Sequence, residues 1–109
     1  VRTIAVVVNW NGGRENLACL EALLAQGPAL EGVVFVDNAS SDGSCELVER
    51  RFPQVEVLRN AENLGYGGGN NRGIARALER GAQAVLVVNN DLTFEPGCVA
   101  ALQRALAAE

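Results

Sequence analysis

The fold of this chain is decided by residues 3–13, TIAVVVNWNGG, in which an apolar run ends abruptly at asparagine, tryptophan and glycine. Apolar residues at every position from Ile4 to Val8 would bury both faces of a strand, which is typical of parallel sheets covered by helices. Further β-rich runs follow, and together they predict strands at Thr3–Val8, Gly32–Asp37, Val55–Arg59 and Ala84–Val88.

The segments between these runs have helical periodicity. The leucines from Leu17 to Leu24 recur at spacings of three and four residues and therefore share one helix face. Further helices are predicted to begin after Asp42 and to span about Asn70–Arg80 and Glu95–Ala108. The order βαβαβαβα predicts an α/β fold with an open, mainly parallel sheet, right-handed crossovers and helices on both faces.

Composition limits the chemistry that the chain can perform. Its 109 residues fit one domain, and 49% apolar against 20% charged residues indicate a globular protein. The net charge of -4 argues against nucleic acid or an anionic membrane as a general partner. The chain has no lysine and no histidine, so carboxylates, amides, arginines and backbone groups must do the chemistry.

The cysteines and the chain ends bear on location and completeness. Cys19, Cys45 and Cys98 show no paired spacing, so we expect reduced thiols that pack as small apolar residues, and a cytoplasmic protein. The first eight residues lack the features of a signal peptide, and no run reaches membrane-spanning length. Because the chain stops just after a predicted helix, residues 1–109 are interpreted as one domain of a longer protein.

Polar residues follow the carboxyl end of every predicted strand, where open α/β sheets bind their ligands. They lie at residues 9–13, 37–44, 60–71 and 89–91. Asp37 ends its apolar run and is expected to face the crevice, where it could accept from ribose hydroxyls or a base N–H. The structural alternative is that these residues only form turns, with Asp42 or Ser41 capping the second helix.

The sequence Asn89-Asn90-Asp91 passes from a buried strand to two amides and a carboxylate. Mg²⁺ and Mn²⁺ are usually held by one or two protein carboxylates together with phosphate oxygens of a substrate. Asp91 with a neighbouring amide suits that pattern. The alternative is an ordinary turn into the last helix.

Three further features each have two interpretations. The glycine cluster at residues 65–71, GYGGGNN, could let the backbone approach a ligand or let a loop move, or it could be a flexible turn. It is not a dinucleotide fingerprint, which would follow the first strand. Trp10 could stack on a base, although packing over the sheet edge is the default for tryptophan. Arg72 could reach a phosphate, although solvent exposure is its default.

Four motifs, in the order of the predicted strands, carry a family resemblance. They are VVVNWN at 6–11, VDNASSDGS at 36–44, NLGYGGGNNRGI at 63–74 and VNNDL at 88–92. Together they resemble family 2 glycosyltransferases, particularly rhamnosyltransferase-like members, over nearly the whole chain. The resemblance implies the Rossmann-like half of a GT-A domain, which binds a nucleoside-diphosphate sugar such as a UDP- or dTDP-sugar.

The resemblance also implies the site residues. The nucleotide-sugar-binding positions would be Asn9, Trp10, Asn11, Asp37, Asn38, Gly67, Asn71 and Asn90. Asp91 matches the last acid of the family's Asp-x-Asp motif and is the implied ligand of Mg²⁺ or Mn²⁺, whereas Asn89 replaces the first acid. Many relatives carry a second acid where this chain has Asn38.

Family members that invert the anomeric centre use a carboxylate base to activate the acceptor hydroxyl. That base lies in the carboxyl-terminal half of the family domain, and no position here matches it. The chain is therefore expected to bind a donor without transferring sugar on its own. The implied parent acts on a glycan or lipid-linked acceptor in cell-wall or polysaccharide biosynthesis, in the cytoplasm or at the inner face of the membrane.

The rival interpretations fit less of the sequence. A nucleotidyltransferase would usually place a glycine-rich basic loop after the first strand, where only Arg14 follows residues 9–13. A non-catalytic module of receiver type needs acids after the first strand and a lysine. A purely structural α/β domain would not explain four polar clusters at one sheet edge. The sequence leaves the oligomeric state open.

Overall fold

A computed structural model describes residues 1–108 and shows a four-stranded parallel sheet. Its strands are β1 (Thr3–Asn9), β2 (Gly32–Asp37), β3 (Glu56–Arg59) and β4 (Ala84–Val88). Its helices are α1 (Glu15–Leu24), α2 (Ser44–Arg51), α3 (Gly65–Glu79) and α4 (Cys98–Ala107), with a 3₁₀ turn at Gly27–Ala29. The predicted α/β order and parallel sheet are confirmed.

The central strand β1 is buried along its whole length, as its apolar run predicts. The strand order is β3-β2-β1-β4, so β1 has a neighbour on each side. Ala5 and Val7 face a core formed with α1, α2 and α4, whereas Ile4, Val6 and Val8 face α3. The sheet is therefore covered on both faces, and the first polar side chain after this run, Asn9, comes at its carboxyl end.

The last strand differs from the first because it forms an edge of the sheet. Residues 84–86 are half-buried and Val87 is exposed. The last helix begins at Cys98, three residues later than predicted, after Gly97 adopts a left-handed conformation with φ 85°. None of the helices within residues 1–108 is long and apolar enough to cross a membrane.

The glycine cluster is helical, which corrects the expectation of a flexible or mobile loop. Helix α3 begins at Gly65, although glycine is a poor helix former. Close packing explains the glycines on its sheet-facing side. A Cβ added at Gly69 would lie 2.8 Å from Cγ1 of Val8, and one at Gly73 would lie 3.0 Å from Cγ2 of Val36. Larger residues at these two positions would push α3 off the sheet.

Candidate functional site

The strand order reverses at β1, because β2 and β3 lie on one side of it and β4 lies on the other. Ligands of open α/β sheets bind at such a switch point, beyond the carboxyl ends of the strands. The loops after β1 and β4 meet there: a Cβ added at Gly12 would lie 2.7 Å from Nδ2 of Asn90. The candidate site is therefore formed by the residues that follow β1, β2 and β4.

Asn9 is fully buried at the centre of this edge. Its Nδ2 donates to Oδ1 of Asp37 at 2.8 Å and to Oγ of Ser44 at 2.8 Å. Its Oδ1 accepts from the Gly12 N–H and from Nδ2 of Asn16, both at 3.0 Å. Both Nδ2 and Oδ1 of Asn9 thus form hydrogen bonds within the protein, and Asn9 lies at the bottom of the site.

Asp37 is 2% exposed, so the expectation that its carboxylate faces the crevice is wrong. The sheet register pairs Asp37 with Asn9, and the chain after β2 turns back over it. Besides the Asn9 amide, its oxygens accept from the backbone N–H of Ser40 at 3.0 Å and from the Ser40 hydroxyl at 2.8 Å. The buried charge contributes, after desolvation, to raising the pKa of the Cys45 thiol to about 12. Contact between Asp37 and a nucleoside stays a prediction.

Asp42 connects the start of α2 with the loop after β1. Its Oδ1 accepts from the Ser44 N–H at 3.0 Å and from the Ser44 hydroxyl, and its Oδ2 accepts from the Gly13 N–H at 2.9 Å. The hydrogen bonds from Ser44, the hydroxyl first, lower the pKa of Asp42 below its ordinary value. The expectation that Asp42 or Ser41 caps this helix is wrong, because Gly43 occupies the cap position, although Asp42 does accept from the first helical N–H, that of Ser44.

The loop after β1 is held to the loop after β2 through Asn11. Its backbone N–H donates to Oγ of Ser40 at 2.9 Å, and its Oδ1 accepts from the Ser41 N–H at 2.8 Å. Trp10 is 58% exposed, so the default expectation that it packs over the sheet edge is wrong. Its ring is accessible to a ligand at the carboxyl edge of the sheet.

Asn38 anchors the start of α3. Its Oδ1 accepts from Nδ2 of Asn60 at 2.7 Å, and its Nδ2 donates to the Gly65 carbonyl at 2.9 Å. Arg72 donates through Nη1 to the Arg59 carbonyl at 2.8 Å and also contacts Oδ1 of Asn60. Arg72 is exposed, as its default predicts, and its guanidinium also contacts the end of β3.

The residues after β4 form a turn. The Leu92 N–H donates to the Asn89 carbonyl at 3.2 Å, and the Tyr66 hydroxyl donates to Oδ1 of Asn89 at 2.6 Å. The Asn90 side chain donates through Nδ2 to Oδ1 of Asn16 at 3.1 Å, and its amide oxygen accepts no hydrogen bond from residues 1–108. The turn predicted as the alternative is therefore present, and the same residues also form a candidate ligand site.

Asp91 is an exposed carboxylate at this turn. Burial, with a contribution from the charge of Asp91, raises the pKa of the nearby Cys19 thiol to about 11. Within residues 1–108, no group of three or more His, Cys, Asp or Glu side chains is placed to hold a metal. Asp91 and the Asn90 oxygen are hard ligands, and Mg²⁺ and Mn²⁺ accept one or two such ligands when phosphate oxygens and water complete the shell. These residues fit a divalent cation that arrives with a diphosphate.

The remaining implied site residues lie on the first turns of α3. Gly67 and Asn71 are exposed, and a Cβ added at Gly67 would meet nothing within 4 Å. Sequence reasoning missed Asn16 and Tyr66, which hold the turn after β4. The signal for Asn16 was present, since its spacing from Leu20 and Leu23 places an amide on the apolar face of α1.

The parallel sheet, its switch point and its polar strand ends form an α/β architecture that binds ligands at the carboxyl edge of the sheet. The chain belongs to glycosyl transferase family 2, because the model of that family matches residues 5–109. The resemblance found in the four motifs is thereby confirmed.

One curated relative is an N-acetylglucosaminyl-diphospho-decaprenol L-rhamnosyltransferase from Mycobacterium tuberculosis. It is 37% identical over 78 residues, which cover 64% of this chain and 25% of that protein. The chain thus spans about a quarter of the length of the curated relatives it matches.

Solved structures share the fold. The S. aureus TarS 1–349 complex with UDP-GlcNAc has a TM-score of 0.74 at 22% identity, covering 98% of this chain and 30% of that one. Mannosyltransferase PcManGT from Pyrobaculum calidifontis, in complex with GDP-Man and Mn²⁺, has a TM-score of 0.72 at 23% identity, covering 96% and 31%.

The fold by itself does not distinguish a glycosyltransferase from other enzymes. A 4-diphosphocytidyl-2C-methyl-D-erythritol synthase has a TM-score of 0.72 at 21% identity, covering 98% of this chain and 53% of that one. The family match, and not the fold, places the chain among the glycosyltransferases.

Proposed function

We propose that this chain binds a nucleoside-diphosphate sugar together with Mg²⁺ or Mn²⁺, and that a complete enzyme transfers the bound sugar to an acceptor hydroxyl. The observation that carries the proposal is the position of Asp91. It is an exposed carboxylate in the turn after β4, next to Asn90, whose side chain is linked through Asn16 to the buried Asn9. Neighbours of the same fold bind UDP-GlcNAc, and GDP-Man with Mn²⁺, which supports this class of ligand.

The site divides into two ends with different chemistry. At the nucleoside end, the exposed Trp10 ring offers a surface for a base, and the buried Asp37 holds the loop that carries Ser40. At the diphosphate end, Asp91 and the Asn90 oxygen would hold the cation. A bound divalent cation supplies the positive charge that stabilises a leaving diphosphate.

The finer features of the function follow from the resemblance to rhamnosyltransferase-like members. We propose a UDP- or dTDP-sugar as donor, a glycan or lipid-linked acceptor, and inversion at the anomeric carbon. The carboxylate base of such a reaction has no match in residues 1–109, so the chain is proposed to bind donor without turning it over. The complete enzyme is proposed to act in the cytoplasm or at the inner face of the membrane.

The test is a titration of UDP- and dTDP-sugars, with and without Mn²⁺, followed by calorimetry or NMR shifts. Asp91→Ala removes the proposed metal ligand, and Glu95→Ala is its control because it removes a carboxylate from an exposed position four residues away. We expect Mn²⁺ to raise donor affinity by about tenfold or more, equivalent to about 1.4 kcal/mol, in the wild type and in Glu95→Ala only.

Two results would count against the proposal at different levels. Mn²⁺-dependent donor binding that survives Asp91→Ala would exclude Asp91 as the metal ligand. If the wild type bound neither donor under any condition, the proposed function itself would be wrong.

A further inference from the structure

We propose that Asn16, on α1, is a positioning residue for nucleotide binding, an inference that rests on the proposed function. Asn16 holds the side chain of Asn90. Through that contact it keeps the turn that carries Asp91 in a fixed position relative to the buried Asn9–Asp37 pair. Asn16 thereby joins the diphosphate end of the site to the nucleoside end.

The contacts form one continuous chain of hydrogen bonds, which we call the amide relay (Asn9, Asn16 and Asn90). Asn90 donates to Oδ1 of Asn16 at 3.1 Å. Asn16 donates through Nδ2 to Oδ1 of Asn9 at 3.0 Å. Asn9 donates in turn to Oδ1 of Asp37 at 2.8 Å. Three strand ends, those of β4, β1 and β2, are thus linked through a single residue of α1.

Burial shows that packing alone does not explain an amide at this position. Asn16 is fully buried beside Leu20, on the helix face that otherwise carries leucines. A buried amide without partners is costly, so an apolar residue would serve a purely packing role better. Asn16 instead uses its donor toward Asn9 and its acceptor toward Asn90, which makes it a connector.

Asn9 and Asn90 differ in how many other hydrogen bonds hold their side chains. Loss of Asn16 should therefore affect the two ends of the site differently. Without Asn16, the Asn9 amide would still contact Asp37, Ser44 and the Gly12 N–H. Asn90 would lose the contact that orients its side chain toward α1. The nucleoside end should therefore keep its geometry, whereas the turn with the metal ligand should not.

Gly12 provides an independent observation of the same arrangement. A Cβ added there would lie 2.5 Å from Oδ1 of Asn9, 2.7 Å from Nδ2 of Asn90 and 3.3 Å from Nδ2 of Asn16. The three amide side chains of the relay thus lie so close to Gly12 that a side chain larger than hydrogen does not fit at this position. The loop after β1 is built around the relay.

The decisive measurement compares two probes in the 109-residue chain. UMP without metal reports on the nucleoside end, and the ratio of UDP affinities with and without Mn²⁺ reports on the diphosphate end. Groups that orient metal ligands typically contribute 10- to 100-fold to metal affinity. We expect Asn16→Leu to reduce the Mn²⁺ enhancement of UDP binding by about tenfold, or to abolish it, and to leave UMP binding unchanged.

The matched control is Gln26→Leu, which removes another buried amide, two residues after the end of α1. Gln26 donates to the carbonyls of Ala22 and Glu95, each at 3.0 Å, and accepts from the Val99 N–H at 3.0 Å. It lies outside the relay, so this variant shows what loss of a buried amide does to binding through stability alone. We expect its Mn²⁺ enhancement to equal that of the wild type.

A second variant keeps the test open if Asn16→Leu does not fold. Asn16→Ser keeps a polar group at this position but is too short for the contact with Asn90, so it should lower the Mn²⁺ enhancement as Asn16→Leu does. Asn90→Ser removes the same hydrogen bond and also the amide oxygen proposed to hold the cation, so either Asn16 variant combined with Asn90→Ser should lose no more than Asn90→Ser alone, because Asn16 acts on the cation only through Asn90.

The possible results distinguish a failure of the role proposed for Asn16 from a failure of the proposed function. An unchanged Mn²⁺ enhancement in a folded Asn16→Leu or Asn16→Ser variant, or additive losses when either is combined with Asn90→Ser, would overturn the role of Asn16. Parallel loss of UMP binding and of the enhancement in Asn16→Leu would overturn it too, since that pattern indicates general damage. A wild type without Mn²⁺-dependent UDP binding would overturn the proposed function first, and the role of Asn16 with it.

Discussion

Replacing Gly73 with alanine tests whether the glycines of α3 serve close packing on the sheet. A Cβ at this position would overlap Cγ1 of Val6 and lie 3.0 Å from Cγ2 of Val36. Both valines are fully buried in adjacent strands, and their branched side chains have little freedom to rotate away. The helix would therefore have to withdraw from the sheet by roughly 1 Å to relieve the overlap.

The magnitude follows from a comparison with Gly67→Ala. At Gly67 an added Cβ meets nothing within 4 Å, so alanine should only improve helix propensity, by about 1 kcal/mol. The same gain applies at Gly73, where overpacking costs about 1–3 kcal/mol. Because the propensity gain cancels in the difference, Gly73→Ala should be less stable than Gly67→Ala by about 1–3 kcal/mol.

Urea unfolding followed by far-UV circular dichroism measures this difference in the free energy of unfolding. The slope with urea should be the same for both variants, so that the midpoints compare stability directly. If Gly73→Ala proved as stable as Gly67→Ala, the close packing of α3 on β1 and β2 would not be the reason for the glycines, and the packing argument would fail.

Three further predictions concern buried groups and the turn after β4. Burial raises the pKa of Cys19 to about 11 and of Cys45 to about 12 from an ordinary 9.0. The unfolded chain therefore loses these protons at lower pH than the folded chain does. The free energy of unfolding should fall between about pH 9 and 11 by about 1.4 kcal/mol per pH unit for each thiol. Urea midpoints that fall as steeply after both cysteines are changed to alanine would contradict this. Asp37→Ala should destabilise the ligand-free chain by about 1–3 kcal/mol because buried donors lose their acceptor, and an unchanged urea midpoint would argue against it. Tyr66→Phe should change the free energy of unfolding by no more than about 1 kcal/mol, since Tyr66 is exposed, but it should shift the NMR signal of the Asn89 side-chain amide; a signal that does not move would refute the Tyr66–Asn89 contact.

Much of the fold was predictable from local pattern. The apolar run from Ile4 to Val8 predicts a strand buried on both faces, and β1 is one. Polar residues after each strand predict the edge at which a ligand would bind, because the carboxyl ends of parallel strands lie at one edge of a sheet. The positions of Asp91 and Asn90 in one turn follow from their adjacency in the chain.

Other features depended on contacts between residues far apart in the sequence. The glycines at 65–69 have poor helix propensity, yet they lie in α3, which approaches β1 and β2 so closely at Gly69 and Gly73 that a Cβ has no room there. Asp37 was expected in the crevice, but its pairing with Asn9 and the return of Ser40 bury it. The exposure of Trp10 likewise depends on which elements lie above the loop, and the local sequence carries no signal for that.

The sequence by itself determined the order of the elements, the parallel sheet, the edge that carries polar groups and the family to which the chain belongs. These properties are set by periodicity and by motifs within single segments, so they can be recognised without coordinates. Only the tertiary structure decided which polar side chains form hydrogen bonds with one another and which can still bind a ligand. Asn16 and Asn90 are 74 residues apart, and their contact exists because the crossovers bring the start of α1 against the turn after β4.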